Sequence, residues 1–355
     1  MKACIVGHTG RGDYGHGLDL AFQKIPDVLV AAVADPDGKG RAEAVRRTGA
    51  ERGHADWREM LRLEKPDLVV AASRWVEGRA EVVVAALEQG AHVFTEKPMA
   101  VSLEEADRLV AAAEKNKAQL AVAHVLRLSP PILRLKRLVD DGLLGDLLEI
   151  RARGKEDARA GGEDLLVHGT HCFYLMRLFA GEPLSCTARV TEKGREITAA
   201  DRRAGSEPVG AVAGDSVAAS FDFAGGVRGH FASQRSPAPR YQFGLYGTKG
   251  AALILPAADP EILHLADPKW SSAAWRPLPD LPSNADPSGL TGYGANNKRL
   301  IEAWLAAAGT GRPSPTSGVE ARAGIEMMMA VYASHLSGKR VSFPLEDRRH
   351  PLGSF

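Results

Sequence analysis

Apolar residues follow two alternating patterns through the first third of the chain. Continuous apolar runs, ACIVG (3–7), VLVAAVAD (28–35), DLVVAAS (67–73), HVFTEK (92–97) and QLAVAHV (119–125), have the length and composition of strands buried on both faces. Between them lie the helical patterns GRAEAVRRTG (40–49), GRAEVVVAALEQG (78–90) and SLEEADRLVAAAEKN (102–116). Ser102 followed by Glu105 predicts a capping box, and Gly90 predicts a helix C-terminal cap. Repeated strand–helix–strand units predict a doubly wound parallel sheet with right-handed crossovers.

The period changes after residue 123. LLEIRARGK (147–155), SVAASFDF (216–223) and VRGHFASQRS (227–236) alternate as strands with one buried face do. Gly225-Gly226 predicts a tight hairpin, and YQFGLYGTKGAALIL (241–255) a second one turning at Gly247–Gly250. The expected architecture is α/β. A Rossmann-type doubly wound domain spans 1–123, and an α+β domain with a large, mainly antiparallel open sheet spans 124–355. The stretches 193–214 and 265–293, rich in Gly, Pro, Asp and Ser, read as long loops of the kind that serve as lids or interface arms.

Composition narrows the function classes. With 355 residues, 45% hydrophobic and 25% charged, the chain has the size and make-up of a two-domain globular protein. A formal net charge of +1 without long single-sign runs argues against a nucleic-acid or membrane-binding surface. Cys4, Cys172 and Cys186 are too few for a disulfide framework and lack metal-type pairing, which leaves a reducing cytoplasm as the expectation. No segment has the ~18 apolar residues of a membrane span, and the N-terminal apolar stretch is too short for a signal peptide.

Candidate chemistry lies at the strand ends. IVGHTGRGDYGHG (5–17) follows the first strand, with Gly7, Gly10 and Gly12 spaced G-x-x-G-x-G and Thr9 where a dinucleotide fingerprint has its second glycine. A Cβ there crowds a pyrophosphate, and Gly10 is expected to relieve the crowding by reshaping the turn. Asp35 ends the second strand, where an acid bonds a ribose 2′-OH and repels a 2′-phosphate, so NAD is favoured over NADP. Ser73 and Glu96 stand at the ends of later strands on the cofactor side. Lys97 closes the buried strand HVFTEK, preceded by Glu96 and followed by Pro98, which restricts its backbone.

The glycine turn, Asp35, Glu96-Lys97-Pro98 and GGEDLLVHGTH (161–171) together resemble the Gfo/Idh/MocA oxidoreductase family, the glucose–fructose oxidoreductase and inositol dehydrogenase relatives. The resemblance covers essentially the whole chain. It implies NAD(P)-dependent hydride transfer at a hydroxyl carbon of a sugar, polyol or close relative. It also implies a homodimer or homotetramer built through the second-domain sheet. Within it, His171 matches the family's acid/base position and Gly169 matches its D-x-G-x-H pattern. The aspartate of that pattern is replaced by Val167, and the carboxylate often found three residues after the histidine is Tyr174.

His168 and His171 therefore admit three readings. A metal site needs further ligands and an open position. A pair of histidines without chemistry is the bland alternative. The preferred reading makes His171 the proton acceptor, with His168 or Asp164 supplying the orienting contact that Val167 lacks; on a helix begun by 164 the three share one stripe. Lys97 then bonds the reacting oxygen and stabilises its developing negative charge. Arg127, Lys155, Arg159 and Arg235 are candidates for substrate contacts, with an anionic sugar worth testing; His230, Gln234, Tyr293, Asn296 and Asn297 are weaker ones. The expected function is that of an NAD-dependent sugar or polyol oxidoreductase that needs no metal. Its rivals are a glycosidase working by transient NAD-dependent oxidation, elimination and re-reduction, and a non-catalytic sugar or NAD(H) sensor.

Overall fold

In a computed structural model, the structure describes residues 1–22, 24–237, 241–255, 257–267 and 274–353. Six strands, β1 (Lys2–Val6), β2 (Leu29–Ala34), β3 (Arg52–His54), β4 (Leu68–Ala71), β5 (His92–Thr95) and β6 (Leu120–Val122), pair in parallel in the order β3-β2-β1-β4-β5-β6. The five expected strands are among them. All four residues of β4 are buried, as its unbroken apolar run requires when helices cover both faces. The helices α1 (Gly38–Thr48), α2 (Trp57–Glu64), α3 (Arg79–Glu88) and α4 (Leu103–Lys115) form the crossovers. Asp37 caps α1 by accepting from the Gly40 N–H at 2.6 Å. Ser102 caps α4, but Glu105 completes the reciprocal bond one residue earlier than expected, on the Val101 N–H at 2.8 Å. Gly90 takes a left-handed φ of +83° after α3, as the predicted cap requires.

The chain forms two compact units, Met1–Val125 with Ala285–Ala323, and Leu126–Asn284 with Gly324–Phe355. A single cut after residue 123 does not describe this, because a late segment returns to the first unit. Helix α8 (Gly292–Thr310) does so by packing: Trp304 is fully buried with its ring 5.7 Å from Phe94 on β5. Just beyond it, the Thr316 carbonyl accepts from the Val122 N–H at 2.8 Å and so extends the edge at β6.

The second unit opens with α5 (Pro130–Asp140) and β7 (Leu147–Arg153), followed by α6 (Gly162–Val167), α7 (Gly169–Ala180) and β8 (Pro183–Glu192). Among the described residues its sheet has ten strands and is mixed. All its pairings are antiparallel except that of β7 with 228–234. Strand 216–223 alternates between buried and exposed residues from Val217 onward, matching its sequence pattern. The buried face meets α7, where Phe173 lies 5.2 Å from both Phe221 and Phe231. The stretch 193–214 holds two short strands, 203–204 and 211–212, that pair with each other. Part of the other long stretch, 268–273, lies outside the described residues. Among the described residues no helix is long and apolar enough to cross a membrane.

The crossover from β1 to β2 carries only a short 3-10 turn, Gly15–Leu20, interrupted at His16 and Gly17 by left-handed φ values of 47° and 73°. Thr9, in the loop before it, is accommodated differently from the expected reshaping by Gly10. Its side chain packs onto the first turn of α1, where a Cβ on Gly40 would lie 1.9 Å from Thr9 Oγ1. Gly40 is therefore the vacancy into which Thr9 fits. Gly40→Ala is expected to destabilise the protein by about 1–3 kcal/mol through overpacking. Adding Thr9→Gly should recover at least ~1 kcal/mol of that loss in a double-mutant cycle measured by urea unfolding. Strictly additive losses would show that the two residues do not compete for one space.

Candidate functional site

The glycine loop is shaped by what fills the space around it. A Cβ on Gly7 would fall 2.2 Å from the Tyr14 ring, and one on Gly12, at φ +86°, would fall 2.5 Å from the Trp75 nitrogen. Gly10, at φ +80° with open space around it, serves the turn conformation alone. The Ser73 hydroxyl anchors the loop by donating to the Arg11 carbonyl at 2.9 Å. Gly7, Ser73 and Trp75 border a cleft of about 480 Å³, lined also by His8, Arg11, Asp35, Pro36, Trp57 and Arg58. Its position outside the carboxyl ends of β1, β2 and β4 is where open parallel sheets bind nucleotides.

Asp35 is fully buried at this cleft. Its Oδ2 accepts from Thr9 Oγ1 at 2.7 Å, Tyr14 Oη at 2.9 Å and the Thr9 N–H at 3.1 Å, and its Oδ1 from the Asp37 N–H at 2.9 Å. The expected partner of this acid is a ribose hydroxyl; the partners it has are residues of the glycine loop and of the turn before α1. Tyr14 lies between Gly7 and the Arg47 guanidinium, 4.5 Å above its ring. Burial, followed by the Asp35 charge, pushes its phenol well above the ordinary range.

The end of β5 is a second buried polar assembly. Glu96 is fully buried, with Oε1 2.6 Å from His16 Nδ1 and Oε2 accepting from the Lys97 N–H at 2.9 Å. Burial opposes its ionisation, but the His16 hydrogen bond and the Lys97 and Arg79 charges outweigh that and hold the carboxyl below its usual range. Gly15 makes the approach possible, since a Cβ there would lie 2.6 Å from Glu96 Oε1. Arg79, buried in the first turn of α3, donates to the Ser73 carbonyl at 2.8 Å and to the Pro98 carbonyl. Burial lowers its guanidinium to about 10. From α8, Asn297 donates to the His16 carbonyl at 3.0 Å and the Tyr293 ring lies 4.9 Å from the imidazole. Asn296 accepts from Arg299 at 3.2 Å. Lys97 is thus held on a braced corner, with 8% of its surface exposed.

Sequence reasoning missed Tyr14, His16 and Arg79. Arg79 had a readable signal: a cation in the first turn of a helix is opposed by the macrodipole, so it needs specific acceptors. His16 had none, because Glu96 is brought to it by sheet order alone.

In the second unit, α6 and α7 meet at His168, which has φ −108° and ψ −34°. The single stripe expected of Asp164, His168 and His171 is interrupted there. Asp164 is fully buried and accepts from Ser233 Oγ at 2.7 Å and the Glu156 N–H at 3.1 Å. Burial raises its pKa, those hydrogen bonds only partly opposing the shift. It braces the segment after β7, where Gly154 leaves room for the carboxylate. The His168 ring is buried, 5.0 Å from Tyr241 and 6.1 Å from His171. His171 is half-buried, and Val167 and Tyr174 are buried.

The remaining candidates differ in their surroundings. The Arg127 guanidinium lies 5.6 Å from the Tyr174 ring centre. Lys155 is half-buried, with burial and then the Arg159 charge lowering its pKa. Arg159 is tied to Asp157 and Glu207, each at 2.6 Å, in a structural ion-pair cluster. His230 bonds Ser220 at 2.9 Å and Glu149 at 3.1 Å across the sheet, while Gln234 and Arg235 are exposed at the end of that strand. Among the described residues no group of three or more His, Cys, Asp or Glu side chains is arranged to hold a metal ion.

Comparison with known proteins agrees with this geometry. Residues 1–124 match the oxidoreductase family with an NAD-binding Rossmann fold, and residues 132–253 match the GFO/IDH/MocA C-terminal domain. Levoglucosan dehydrogenase of Pseudarthrobacter phenanthrenivorans is 27% identical over 290 residues, 72% of this chain and 74% of that protein. A glycosyl hydrolase family 109 protein of Akkermansia muciniphila is 26% identical over 46% of this chain and 36% of its own length. A solved levoglucosan dehydrogenase in complex with NADH and levoglucosan superimposes with a TM-score of 0.77 at 21% identity, covering 97% of this chain and all of that one, which establishes the fold. With its glycine-loop cleft, its braced Glu96-Lys97-Pro98 corner and both domains matched, the chain belongs to the Gfo/Idh/MocA family of NAD-binding oxidoreductases.

Proposed function

We propose that the protein transfers hydride between NAD and a hydroxyl or keto carbon of a sugar, polyol or sugar derivative. The observation that carries this reading is the Glu96-Lys97 corner, a buried and braced cation at a strand end of an NAD-binding domain. A bound NAD supplies the hydride acceptor. Lys97 donates to the reacting oxygen and stabilises the negative charge that develops there. His171 accepts the hydroxyl proton as the alcohol becomes a carbonyl. Glu96, His16 and Arg79 hold the Lys97 backbone still. The levoglucosan dehydrogenase relative supports a carbohydrate substrate.

The second reading, glycoside cleavage by transient oxidation and re-reduction, is favoured by two observations: Val167 stands where the family pattern has its carboxylate, and a relative is a glycosyl hydrolase. A carbohydrate panel followed both for NADH absorbance and for aglycone release separates the two. Net NADH formation supports the dehydrogenase, whereas cleavage without net NADH selects the hydrolase. The protein is further proposed to work in a reducing cytoplasm, consistent with three buried free cysteines, as a homodimer or homotetramer through the open sheet face. Light scattering on the purified protein tests the assembly.

NADH is expected to bind more tightly than NADPH by about tenfold or more, because the Asp35 carboxylate forms part of the cleft wall and a 2′-phosphate would approach it. Calorimetric titration with both cofactors checks this, and equal affinities would refute it. Lys97→Met should lower kcat by about 10²–10³-fold while changing the NADH Kd little. A variant with near-normal turnover would remove Lys97 from the chemistry. His171→Ala should nearly abolish turnover and remove the acid limb of kcat/KM against pH, whereas His168→Ala should shift that limb without removing it. The opposite pattern would exchange the two roles.

A further inference from the structure

The cations of the second unit differ in whether their charge is already answered. Arg159 is engaged by Asp157 and Glu207, and Arg153 by Glu156, whose Oε1 accepts from it at 2.5 Å. Arg235 is exposed at the end of its strand. Lys155 and Arg127 are partly buried, and among the described residues neither has an ion pair or a hydrogen bond through its charged end.

Lys155 is fixed by the segment that carries it. Strand β7 ends at Arg153, and Gly154 packs against Asp164, where a Cβ would lie 1.9 Å from Oδ2. Glu156 follows with a left-handed φ of +60°, a conformation that a buried glutamate keeps only when its surroundings hold it. Its N–H donates to Asp164 at 3.1 Å, its carbonyl accepts from the Ser236 N–H at 3.2 Å, and its carboxylate accepts from Arg153. The Ser233 hydroxyl donates to Asp164 and accepts from the Gly161 N–H before α6. The Lys155 stem therefore starts from a rigid bend bonded to α6, the helix that leads into His168 and His171. Burial, then the Arg159 charge, disfavours the Lys155 ammonium, and the Asp157, Asp164 and Glu207 charges compensate only in part.

Arg127 is anchored on the other helix. Its guanidinium lies 5.6 Å from the centre of the Tyr174 ring, one turn after His171 on α7, and its Nε is buried without a partner. Val167 and Tyr174, four residues before and three after His171, carry no charge. A neutral polyol leaves these cations unanswered, whereas an anion supplies the charge-assisted acceptor that they lack.

We propose that the substrate of this site is a sugar acid whose carboxylate is held by Lys155, with Arg127 adding to the positive field. The hydroxyl that His171 deprotonates then lies on a different carbon from the carboxylate. The proposal rests on the hydride-transfer reading and goes beyond it by naming the charge class of the substrate and the residue that selects it.

The test compares a panel of hexuronates and aldonates with their methyl esters, which keep the carbon skeleton and lose the charge. NAD-linked turnover and calorimetric binding are measured at low and high salt for wild type, Lys155→Met, Lys155→Arg and Arg127→Met. Wild type should favour at least one acid over its ester by about 10–100-fold, a preference that falls as salt rises. Lys155→Met should bring that ratio to within about threefold, Lys155→Arg should retain most of it, and Arg127→Met should lower it by a smaller factor than Lys155→Met. Acid and ester are compared on the same variant, so a folding defect cancels from the ratio. A wild type for which no acid outdoes its ester, or a Lys155→Met variant that keeps the full preference, overturns the proposal. Absence of NADH formation with acids, esters and neutral sugars alike overturns the hydride-transfer reading instead, and the binding ratio still decides whether Lys155 selects an anion.

Discussion

The Asp35 carboxylate is fully buried and receives hydrogen bonds from the Thr9 backbone, the Thr9 and Tyr14 hydroxyls and the Asp37 backbone. An acceptor in that position costs several kcal/mol if its donors are taken away, so the loop closes on it. This constraint explains features that look unrelated in the sequence. Thr9 replaces the second fingerprint glycine because its hydroxyl is a donor to Asp35. Gly40 is small because Thr9 leans on it. Gly7 is bare because the Tyr14 ring crosses it on the way to Asp35. The cleft owes its shape to a carboxylate at its wall.

A similar logic organises the end of β5. Glu96 is an acid without solvent, and His16 with the Lys97 N–H supplies its donors. Arg79 is a cation without solvent, and carbonyls of the loops after β4 and β5 supply its acceptors. Buried polar groups of this kind are tolerable only when satisfied, and once satisfied they specify a single arrangement. The consequence for function is a Lys97 whose position is set by the fold, with little left to solvent averaging. The assembly takes its members from β5, the glycine loop, α3 and α8.

The strands of the first unit were readable because burial on both faces leaves unbroken apolar runs, and strand 216–223 because burial on one face leaves strict alternation. The three-residue strand Arg52–His54 is too short to carry a period, and α2 after it has only eight residues. The return of 285–323 to the first unit depends on Trp304 meeting Phe94 and on Thr316 bonding Val122, contacts between residues with no sequence relation. Among the site residues, Glu96 and Lys97 declared themselves through position at a strand end. His16 and Tyr14 did not, since each acquires its role from an acid on another strand. Asp164 had the right spacing for a shared stripe with the histidines, but the helix break at His168 and the Ser233 hydroxyl gave it another place.

Asp35 holds the glycine loop through bonds within the chain itself. Thermal unfolding of cofactor-free Asp35→Asn against wild type tests this most directly, because asparagine keeps the shape while spoiling the match to the surrounding donors. A loss of about 1–3 kcal/mol, a Tm lowered by several degrees, is the predicted result. An unchanged or raised Tm in the cofactor-free protein, accompanied by a selective loss of NADH affinity, would contradict it and make Asp35 a ribose contact instead of a latch.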